Sequence, residues 1–278
     1  MFENATNKCD LHIHSTFSDS DQTLESIFLS AKENDLSCIS ITDHDTTSGI
    51  KCARSLSRRV GIELIDGIEI SAHKDETEIH ILGYFIDSEN RKFQNALEDV
   101  RELRKKRLIA MVKRLSALGL AVDCDEILEG IGDAIATRLH LGLYLVKKKI
   151  VGNLWEAFKK YLSCGKPAYI GRFKFSVKEA IELIKDSGGL AFIAHPRYIT
   201  DRAWIKEFAN YGADGLEVVY PCLSAAKMAS FSDIADELGL IKSGGSDAHG
   251  TYKEYTKVGG VSIPYSWVLK MKERLCLV

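Results

Sequence analysis

Two histidines separated by one residue, His12 and His14, stand in the segment CDLHIH, which predicts a β-strand. Side chains two positions apart point to the same side of a strand and are spaced about 7 Å along it, so the two imidazoles can converge on one ion. The following loop, STFSDSD, contains Asp19, whose carboxylate can fold back to the same place. The alternative is a pair of solvent-facing histidines on an edge strand.

A second titratable group, Asp43-His44-Asp45, comes directly after the predicted strand LSCISIT. Unpaired charge is costly to bury, so a triplet of this kind at the end of a strand indicates a function. The alternative is an N-cap for the next helix, which Asp45 or Thr46 could supply. That alternative leaves His44 unexplained.

Two further predicted strands, IELIDGIEIS and EIHILGYFI, carry Glu69 and His80. A hairpin that turns at Lys74 and Asp75 would place these two residues opposite each other, with Cβ atoms about 5 Å apart. A glutamate in this position can bridge two metal ions. A surface ion pair is the alternative, although apolar strand residues surround both.

Two later segments end in the same residue types. His195 closes the apolar run LAFIAH before Pro196, which stops regular strand pairing, and alone it would be a satisfied core histidine. Asp247 and His249, in GGSDAHG, repeat the spacing of one intervening residue after a further strand. The two glycines allow a close approach of the backbone.

Metal binding explains these strand-end residues together, whereas any other reading must explain each one separately. The candidate ligands are His12, His14, Asp19, His44, Glu69, His80, His195, Asp247 and His249. Imidazole and carboxylate without thiolate favour Mn²⁺, Fe or Zn²⁺, and nine ligands are too many for one ion, so we predict two or three divalent ions. The residual positive charge would attract phosphate, and such centres activate water for in-line displacement.

The elements that position these residues alternate between strand and helix, which is typical of a parallel sheet or barrel. TLESIFLSAKEND predicts the first helix, with Thr23 as its N-cap. The alternation stops where residues 91–118 place apolar side chains at helical spacing, and Gly119 supplies a stop. We therefore predict one α/β domain, residues 1–86 and 166–278, interrupted by a helical insertion, residues 87–165.

The composition is that of an ordinary globular protein, with 45% hydrophobic and 27% charged residues among 278. A net charge of −2 provides no general attraction to nucleic acid or membrane, so affinity for phosphate must be local. Neither a signal peptide nor a membrane span is visible. Seven cysteines without a CxxC pair favour the reducing cytoplasm, and we expect each to be a small buried residue.

The ordered motifs DLHIHSTFSD, ITDHD, GIEIS, EIHILGYF, AHP and GSDAHG resemble those of the PHP (polymerase and histidinol phosphatase) family, over nearly the whole chain. Within this family the chain is most similar to bacterial phosphoesterases that act on nucleoside 3′,5′-bisphosphates and on short RNA from the 5′ end. The resemblance implies a distorted (β/α)₇ barrel, similar to a TIM barrel, with a trinuclear metal site and Mn²⁺ as the first expectation.

The resemblance also implies how the ligands divide among three ions. The first ion is assigned His12, His14, Glu69 and Asp247, the second Glu69, His80 and His195, and the third Asp19, His44 and His249. The implied catalytic residues are Asp19, Glu69, His195 and Asp247. Asp43 and Asp45 are expected to support the ligands or to cap a helix.

A phosphate-binding set around the insertion is implied in the same way: Arg138 and His140 in TRLHLGLYL, Lys166 in GKPAY, and Arg197 after AHP. A solvated surface charge is the alternative for Arg138 and Lys166. The predicted function is hydrolysis of nucleotide phosphate esters or of short single-stranded RNA, with no obligate protein partner evident. The alternatives are a histidinol-phosphate phosphatase and a non-catalytic nucleotide- or RNA-binding module.

Overall fold

The computed structural model describes residues 8–171, 175–199, 201–253 and 255–278. The strands are β1 (Lys8–Ile13), β2 (Leu36–Ile41), β3 (Glu63–Lys74), β4 (Thr77–Tyr84), β5 (Phe175–Ser176), β6 (Leu190–Ile193), β7 (Gly215–Val219), β8 (Ile241–Gly244) and β9 (Ile263–Pro264). The α-helices are α1 (Leu24–Glu33), α2 (Ile50–Val60), α3 (Arg91–Ala117), α4 (Cys124–Ile131), α5 (Arg138–Lys147), α6 (Leu154–Ala157), α7 (Val177–Asp186), α8 (Ala203–Asn210), α9 (Ala225–Glu237) and α10 (Tyr265–Arg274).

The sheet runs in the order β8-β7-β6-β4-β3-β2-β1 and curls into a nearly closed barrel, with β9 beside β1 and β5 beside β3. Strand pairs are parallel on both sides of β4, which is antiparallel to both of its neighbours. The ends are brought together by two backbone hydrogen bonds, from His14 N to Ala248 O (3.0 Å) and from Asp247 N to His12 O (2.8 Å). The predicted distorted barrel is confirmed.

The hairpin between β3 and β4 turns one residue later than predicted, at Asp75 and Glu76. Asp75 adopts a left-handed backbone conformation (φ 53°), which aspartate tolerates in turns. His80 consequently lies opposite Ser71, so the predicted pairing with Glu69 was wrong. Glu69 and Ser71 share one face of the strand, so Glu69 and His80 still meet diagonally.

The helix starts agree with the sequence in one case and differ in another. Thr23 is the N-cap of α1, as predicted, and accepts a hydrogen bond from the backbone of the first turn. The second helix starts at Ile50 behind Gly49, so the predicted cap at Asp45 or Thr46 was wrong. The physical reason lies in the site, where the Asp45 carboxylate has other partners.

The segment between β4 and β5 is helical, as predicted, and contains α3 to α6 and a π-helix (Phe158–Leu162). α3 ends at Ala117, and Gly119 follows it with a φ of 82°. The first half of α3 packs its apolar side chains against the barrel, whereas its second half joins an apolar cluster drawn from residues 108–168. The domain boundaries at 87 and 165 stay a prediction.

Two expectations concern burial and membranes. All seven cysteines are free thiols, and Cys9 and Cys38 are buried as expected. The expectation was wrong for four cysteines that lie on exposed helix and loop positions: Cys52, Cys164, Cys222 and Cys276. Among the described residues, no helix is both long enough and apolar enough to cross a bilayer.

Candidate active site

All nine candidate ligands converge at the barrel end where the parallel strands have their carboxyl termini. This is the end at which α/β barrels build active sites, because loops from several strands meet there. His12 ends β1 together with the adjacent Ile13, and His14 follows directly. Both imidazoles are completely buried, so they are not solvent-facing histidines on an edge strand.

Glu69 occupies the centre of the cluster, on β3, and is almost completely buried. Its two carboxylate oxygens face five imidazoles. The nitrogen–oxygen distances are 3.3 Å for His12, 3.2 Å for His14, 3.2 Å for His44, 2.9 Å for His80 and 2.9 Å for His195. Glu69 thus lies between the ligands that come from β1, β2, β4 and β6.

Two aspartates complete the cluster from its other sides. The Asp247 Oδ1 atom lies 3.5 Å from His12 Nε2, 3.2 Å from His14 Nε2 and 3.3 Å from His249 Nδ1. The Asp19 carboxylate lies 3.6 Å from His14 Nδ1, 3.8 Å from His44 Nε2 and 3.4 Å from His249 Nε2. The loop STFSDSD therefore does fold back onto the histidines.

The donor atoms fit metal binding. They form three overlapping groups whose members lie within 4.8 Å of one another: His14, Asp19, His44 and His249; His12, His14 and Asp247; His44, Glu69 and His80. Two ligands of one ion, each about 2.1 Å from it, are roughly 3.0–3.4 Å apart at octahedral or tetrahedral angles. Most of the distances above are close to that range. His195 lies outside these groups, although its Nε2 atom is 3.2 Å from His80 Nδ1.

Hydrogen bonding supports the same conclusion. Within the described part of the chain, five buried nitrogen and oxygen atoms of the candidate ligands make no hydrogen bond: His12 Nε2, His14 Nδ1, His14 Nε2, His44 Nδ1 and Asp19 Oδ1. A buried polar atom without a partner costs about 1–3 kcal/mol, so several in one place require an explanation. Coordination to divalent metal ions satisfies them all together.

The electrostatics of the cluster favour a cation. Burial lowers the pKa of His14, but the neighbouring carboxylates of Asp247 and Glu69 outweigh burial and raise it to about 9. Burial likewise lowers the pKa of His80, and the Glu69 carboxylate raises it to about 10. Burial raises the pKa of Glu69, yet the histidines around it, His44 foremost, hold it well below its usual range. Burial instead lowers the pKa of His44 and of His249. A field that draws protons to His14 and His80 also attracts metal ions.

Glu217, which the sequence reading missed, orients two of the ligands. It is completely buried on β7. Its Oε1 atom lies 2.8 Å from His12 Nδ1, and its Oε2 atom accepts a hydrogen bond from His195 N at 2.6 Å. A carboxylate on Nδ1 fixes the tautomer and directs Nε2 toward the metals. A single carboxylate inside the apolar strand GLEVV was the available signal.

The two aspartates beside His44 are buried supports, as the sequence suggested for them. Asp43 accepts hydrogen bonds from Ser15 N (2.7 Å) and from Ser18 Oγ (2.6 Å), which fixes the loop that carries Asp19. Asp43, which follows β2, therefore fixes the position of Asp19, a candidate ligand in the loop after β1.

Asp45 connects the metal cluster to the insertion. It accepts hydrogen bonds from Ser71 N (2.8 Å) and from Arg104 Nε (2.7 Å), and Arg104 also donates to Ser71 Oγ at 2.7 Å. Arg104 lies on α3 and is itself buried. The side chain of Asp45, next to His44, is thus bonded directly to the first helix of the insertion.

Asp247 has supports that the sequence reading also missed. Its Oδ2 atom accepts a hydrogen bond from the Tyr220 hydroxyl (2.6 Å) and one from Lys253 Nζ (3.0 Å). These bonds leave Oδ1 facing the histidines. Three loops of the site contain a residue with a left-handed backbone angle: Asp247 (φ 49°), His195 (φ 25°) and Asp45 (φ 50°). Backbone strain of this kind concentrates at functional sites.

A cavity of about 360 Å³ lies between the cluster and the insertion. The metal cluster forms its floor, and four of the candidate ligands line it directly: Asp19, His44, His80 and His249. Arg104, Arg107 and Arg138 approach from the insertion, and Lys253 approaches from the barrel. A cavity with a metal-binding floor and basic walls can hold a phosphate ester against activated water.

The structure brings one of the four predicted phosphate-binding residues into this cavity. Arg138 lines it, donates to Glu78 Oε2 (2.7 Å) and places its guanidinium 5.4 Å from the Tyr169 ring centroid. His140 lines a neighbouring cavity of about 610 Å³, and its Nδ1 atom accepts from Thr137 N at 3.2 Å.

The other two candidates lie on the surface. Lys166 is exposed in the loop that follows the π-helix. Arg197 is also exposed, in a 3₁₀ turn (Pro196–Tyr198), and donates to Pro221 O at 3.3 Å. Neither residue is among the described residues that line the cavity above the metal cluster.

A barrel with a buried imidazole–carboxylate cluster beneath a basic cavity defines a metal-dependent phosphoester hydrolase. Residues 10–225 match the family model described as the PHP domain, and the chain belongs to this family. The predicted family and reaction class are therefore confirmed.

Relatives across the chain carry names of phosphoesterases. A 5′-3′ exoribonuclease of Haemophilus influenzae is 34% identical and covers 88% of this chain and 90% of its own length. A 3′,5′-nucleoside bisphosphate phosphatase of Chromobacterium violaceum is 33% identical, with 86% of both chains covered. A solved structure assigned as a metal-dependent phosphoesterase of Bifidobacterium adolescentis is 27% identical, with 98% of both chains covered and a TM-score of 0.89.

The name of a third relative gives a different kind of phosphate ester as its substrate. It is the phosphoribosyl 1,2-cyclic phosphate 1,2-diphosphodiesterase of Eggerthella lenta, which is 28% identical over 90% of this chain and 97% of its own. The names thus include phosphate monoesters, RNA and a cyclic phosphodiester.

Proposed function

We propose that the protein hydrolyses phosphate esters of nucleotides, either nucleoside 3′,5′-bisphosphates or the 5′ ends of short single-stranded RNA. One observation carries the proposal: the cavity above the metal cluster is lined by four candidate ligands on its floor and by three arginines from the insertion. The names of two relatives that are 33% and 34% identical to the chain support a nucleotide substrate.

We infer that the nine predicted ligands hold two or three divalent ions, with Mn²⁺ as the first candidate and Fe or Zn²⁺ as alternatives. Bound ions would supply a water nucleophile of lowered pKa and would neutralise charge on the phosphate oxygens. Among the chain's own groups, Asp19, Glu69, His195 and Asp247 are the proposed catalytic residues. Glu217, Tyr220 and Lys253 hold the ligand side chains in position.

Arg138 is the proposed contact for a phosphate that is not being cleaved. A guanidinium presents a planar pair of donors, which suits a phosphate group. Arg138 is paired with Glu78, so a substrate phosphate has to replace a carboxylate that also contacts His80 Nε2 at 3.2 Å. The exchange would take place directly above a metal ligand.

His140, Lys166 and Arg197 stay proposed phosphate contacts, and their positions outside the cavity suit a longer substrate better than a mononucleotide. We also propose a cytoplasmic location, which the seven free cysteines support.

The test is phosphate or nucleotide release by Mn²⁺-loaded protein from adenosine 3′,5′-bisphosphate, 5′-phosphorylated RNA, AMP, histidinol phosphate and a ribose cyclic phosphate. Asp247→Asn serves as the control for contaminating phosphatase. We expect the highest kcat/KM for the bisphosphate or the RNA. A preference for histidinol phosphate or for the cyclic ester would contradict the nucleotide assignment, and binding of nucleotides without turnover of any ester would indicate a non-catalytic module.

A further inference from the structure

The insertion supplies an apolar wall to the cavity above the metal cluster, formed by Leu139, Leu154, Trp155 and Phe158. We propose that this apolar wall is a stacking site for the nucleobase of the substrate. The inference rests on the proposed function, and it narrows the substrate to esters that bear a planar aromatic group.

Trp155 is the main observation. Its exposed fraction is 68%, the largest among the exposed aromatic side chains of the described residues. Tryptophan is highly buried on average, because its indole is large and mostly apolar. An indole that remains in solvent while it lines a cavity leaves a broad flat surface for a planar ligand. Lys159 Nζ lies over one face of the ring, 4.3 Å from its centroid, and adds a positive charge beside the indole.

The wall is a defined surface of the fold. α6, which carries Leu154 and Trp155, is capped by Asn153, whose side chain accepts from Glu156 N at 2.9 Å. α5 packs closely beneath it: a Cβ atom at Gly142 would lie 3.0 Å from Leu154 and 3.4 Å from Phe158. Phe158 begins a π-helix, a conformation that is found frequently at functional sites.

The lining of the cavity combines groups that suit each part of a nucleotide. It contains metal ligands, the cationic side chains of Arg107, Arg138 and Lys253, and the apolar wall. A single nucleotide would contact both regions, with its phosphate at the floor and its base against the apolar wall. The volume of about 360 Å³ lies at the lower end of ligand cavities, about 300–1,000 Å³, which suits one nucleotide.

The proposed site has a specific consequence. Stacking on an aromatic side chain tolerates any base, because every base has a π-face. The wall should therefore favour nucleotides over sugar phosphates without a strong preference among bases. A simple sugar phosphate would reach the metals and the arginines and would gain nothing from Trp155.

The experiment compares the binding of AMP and ribose 5-phosphate, by calorimetry on Mn²⁺-loaded protein, in wild type, Trp155→Ala and Trp155→Phe. Leu103→Ala is the matched control, because Leu103 is an exposed apolar residue of the insertion outside the cavity. We expect Trp155→Ala to weaken AMP binding about 5- to 100-fold, the scale of one lost base stack, and to leave ribose 5-phosphate unchanged. Trp155→Phe should restore most of the AMP affinity.

Tryptophan fluorescence provides a second readout. AMP should quench the emission of wild type and should quench Trp155→Phe much less, since neither Trp204 nor Trp267 is among the described residues that line the cavity. Equal effects of Trp155→Ala on both ligands, no effect on AMP, or no AMP binding by wild type would overturn the stacking site. If AMP binding depends on Trp155 but no nucleotide ester is hydrolysed, the stacking site stands and the proposed function fails.

Discussion

The floor and the insertion side of the cavity are built in different ways. The floor draws its ligands from six separate segments of the chain, and most of them are almost completely buried. Several are fixed by a second bond, as Glu217 fixes His12 and as Tyr220 fixes Asp247. On the insertion side, Arg104 and Arg107 come from α3, and the other lining residues come from one half-exposed stretch, residues 137–158. Its central arginine, Arg138, is held by a single carboxylate, Glu78.

This difference indicates that the floor and the insertion have separate roles in the reaction and in the choice of substrate. Residues that are buried, interlocked and drawn from many strands can hold metal ions in one geometry, which the reaction requires. A half-exposed surface on a contiguous segment can vary without disturbing that geometry. We therefore expect substitutions in the floor to abolish the reaction for every substrate, and substitutions in the insertion to change which substrate is preferred.

The largest effect is expected at the centre of the floor. Glu69→Gln and Asp247→Asn should each remove turnover of all substrates, because each deletes an anionic ligand that several histidines face. Circular dichroism should stay native-like, and kcat is the measurement. Glu126→Gln, in the insertion, is the control. Wild-type activity in either variant would contradict the central role given to these carboxylates.

A smaller loss is expected behind the floor. Glu217→Gln keeps the size of the side chain but removes the charge that orients His12 and accepts from His195 N. Loss of such a partner typically weakens metal affinity or activity by about 10- to 100-fold. A Mn²⁺ titration of activity measures the effect, with the exposed Glu237→Gln as control. An unchanged Mn²⁺ requirement would show that the floor does not depend on this support.

On the insertion side, the expected effect depends on the substrate. Arg138→Ala should reduce kcat/KM for adenosine 3′,5′-bisphosphate by roughly ten- to a hundredfold, the scale of one lost charged hydrogen bond, and should change AMP hydrolysis little. Metal content should not change, because Arg138 is not a ligand. The exposed Arg59→Ala is the matched control. Equal effects on both substrates would contradict a selective grip on the second phosphate.

The smallest effect is expected at His140, whose Nδ1 atom accepts from Thr137 N at the start of α5. Burial lowers the pKa of His140, which leaves it neutral at pH 7. His140→Gln should change kcat/KM for AMP by less than about threefold, because glutamine can occupy the same place in a capping box and His140 lies outside the cavity above the metal cluster. The loss should be larger for 5′-phosphorylated RNA, which can reach His140, and an equal small effect on both substrates would contradict the proposed phosphate contact.

The convergence of most floor residues could be predicted from the sequence, because they follow strand ends, where spacing and strand direction place side chains together. Glu69 and His80 instead lie within β3 and β4. The register of the hairpin between β3 and β4 was harder to predict, since a turn at Lys74-Asp75 and a turn at Asp75-Glu76 both consist of polar residues. The buried position of Arg104 could not be predicted from the run RELRKKR, because nothing in that run distinguishes one buried arginine from its solvated neighbours. Tertiary packing of α3 against Asp45 decides which one is buried.

The number of metal ions bound per chain tests the central claim most directly. The protein would be purified without chelator, loaded with Mn²⁺, freed of excess ion and measured by elemental analysis, with Glu69→Gln in parallel. Nine nitrogen and oxygen ligands in overlapping groups predict two or three ions per wild-type chain, and fewer in the variant. No more than one ion in loaded wild type, or the same number in Glu69→Gln, would contradict the account.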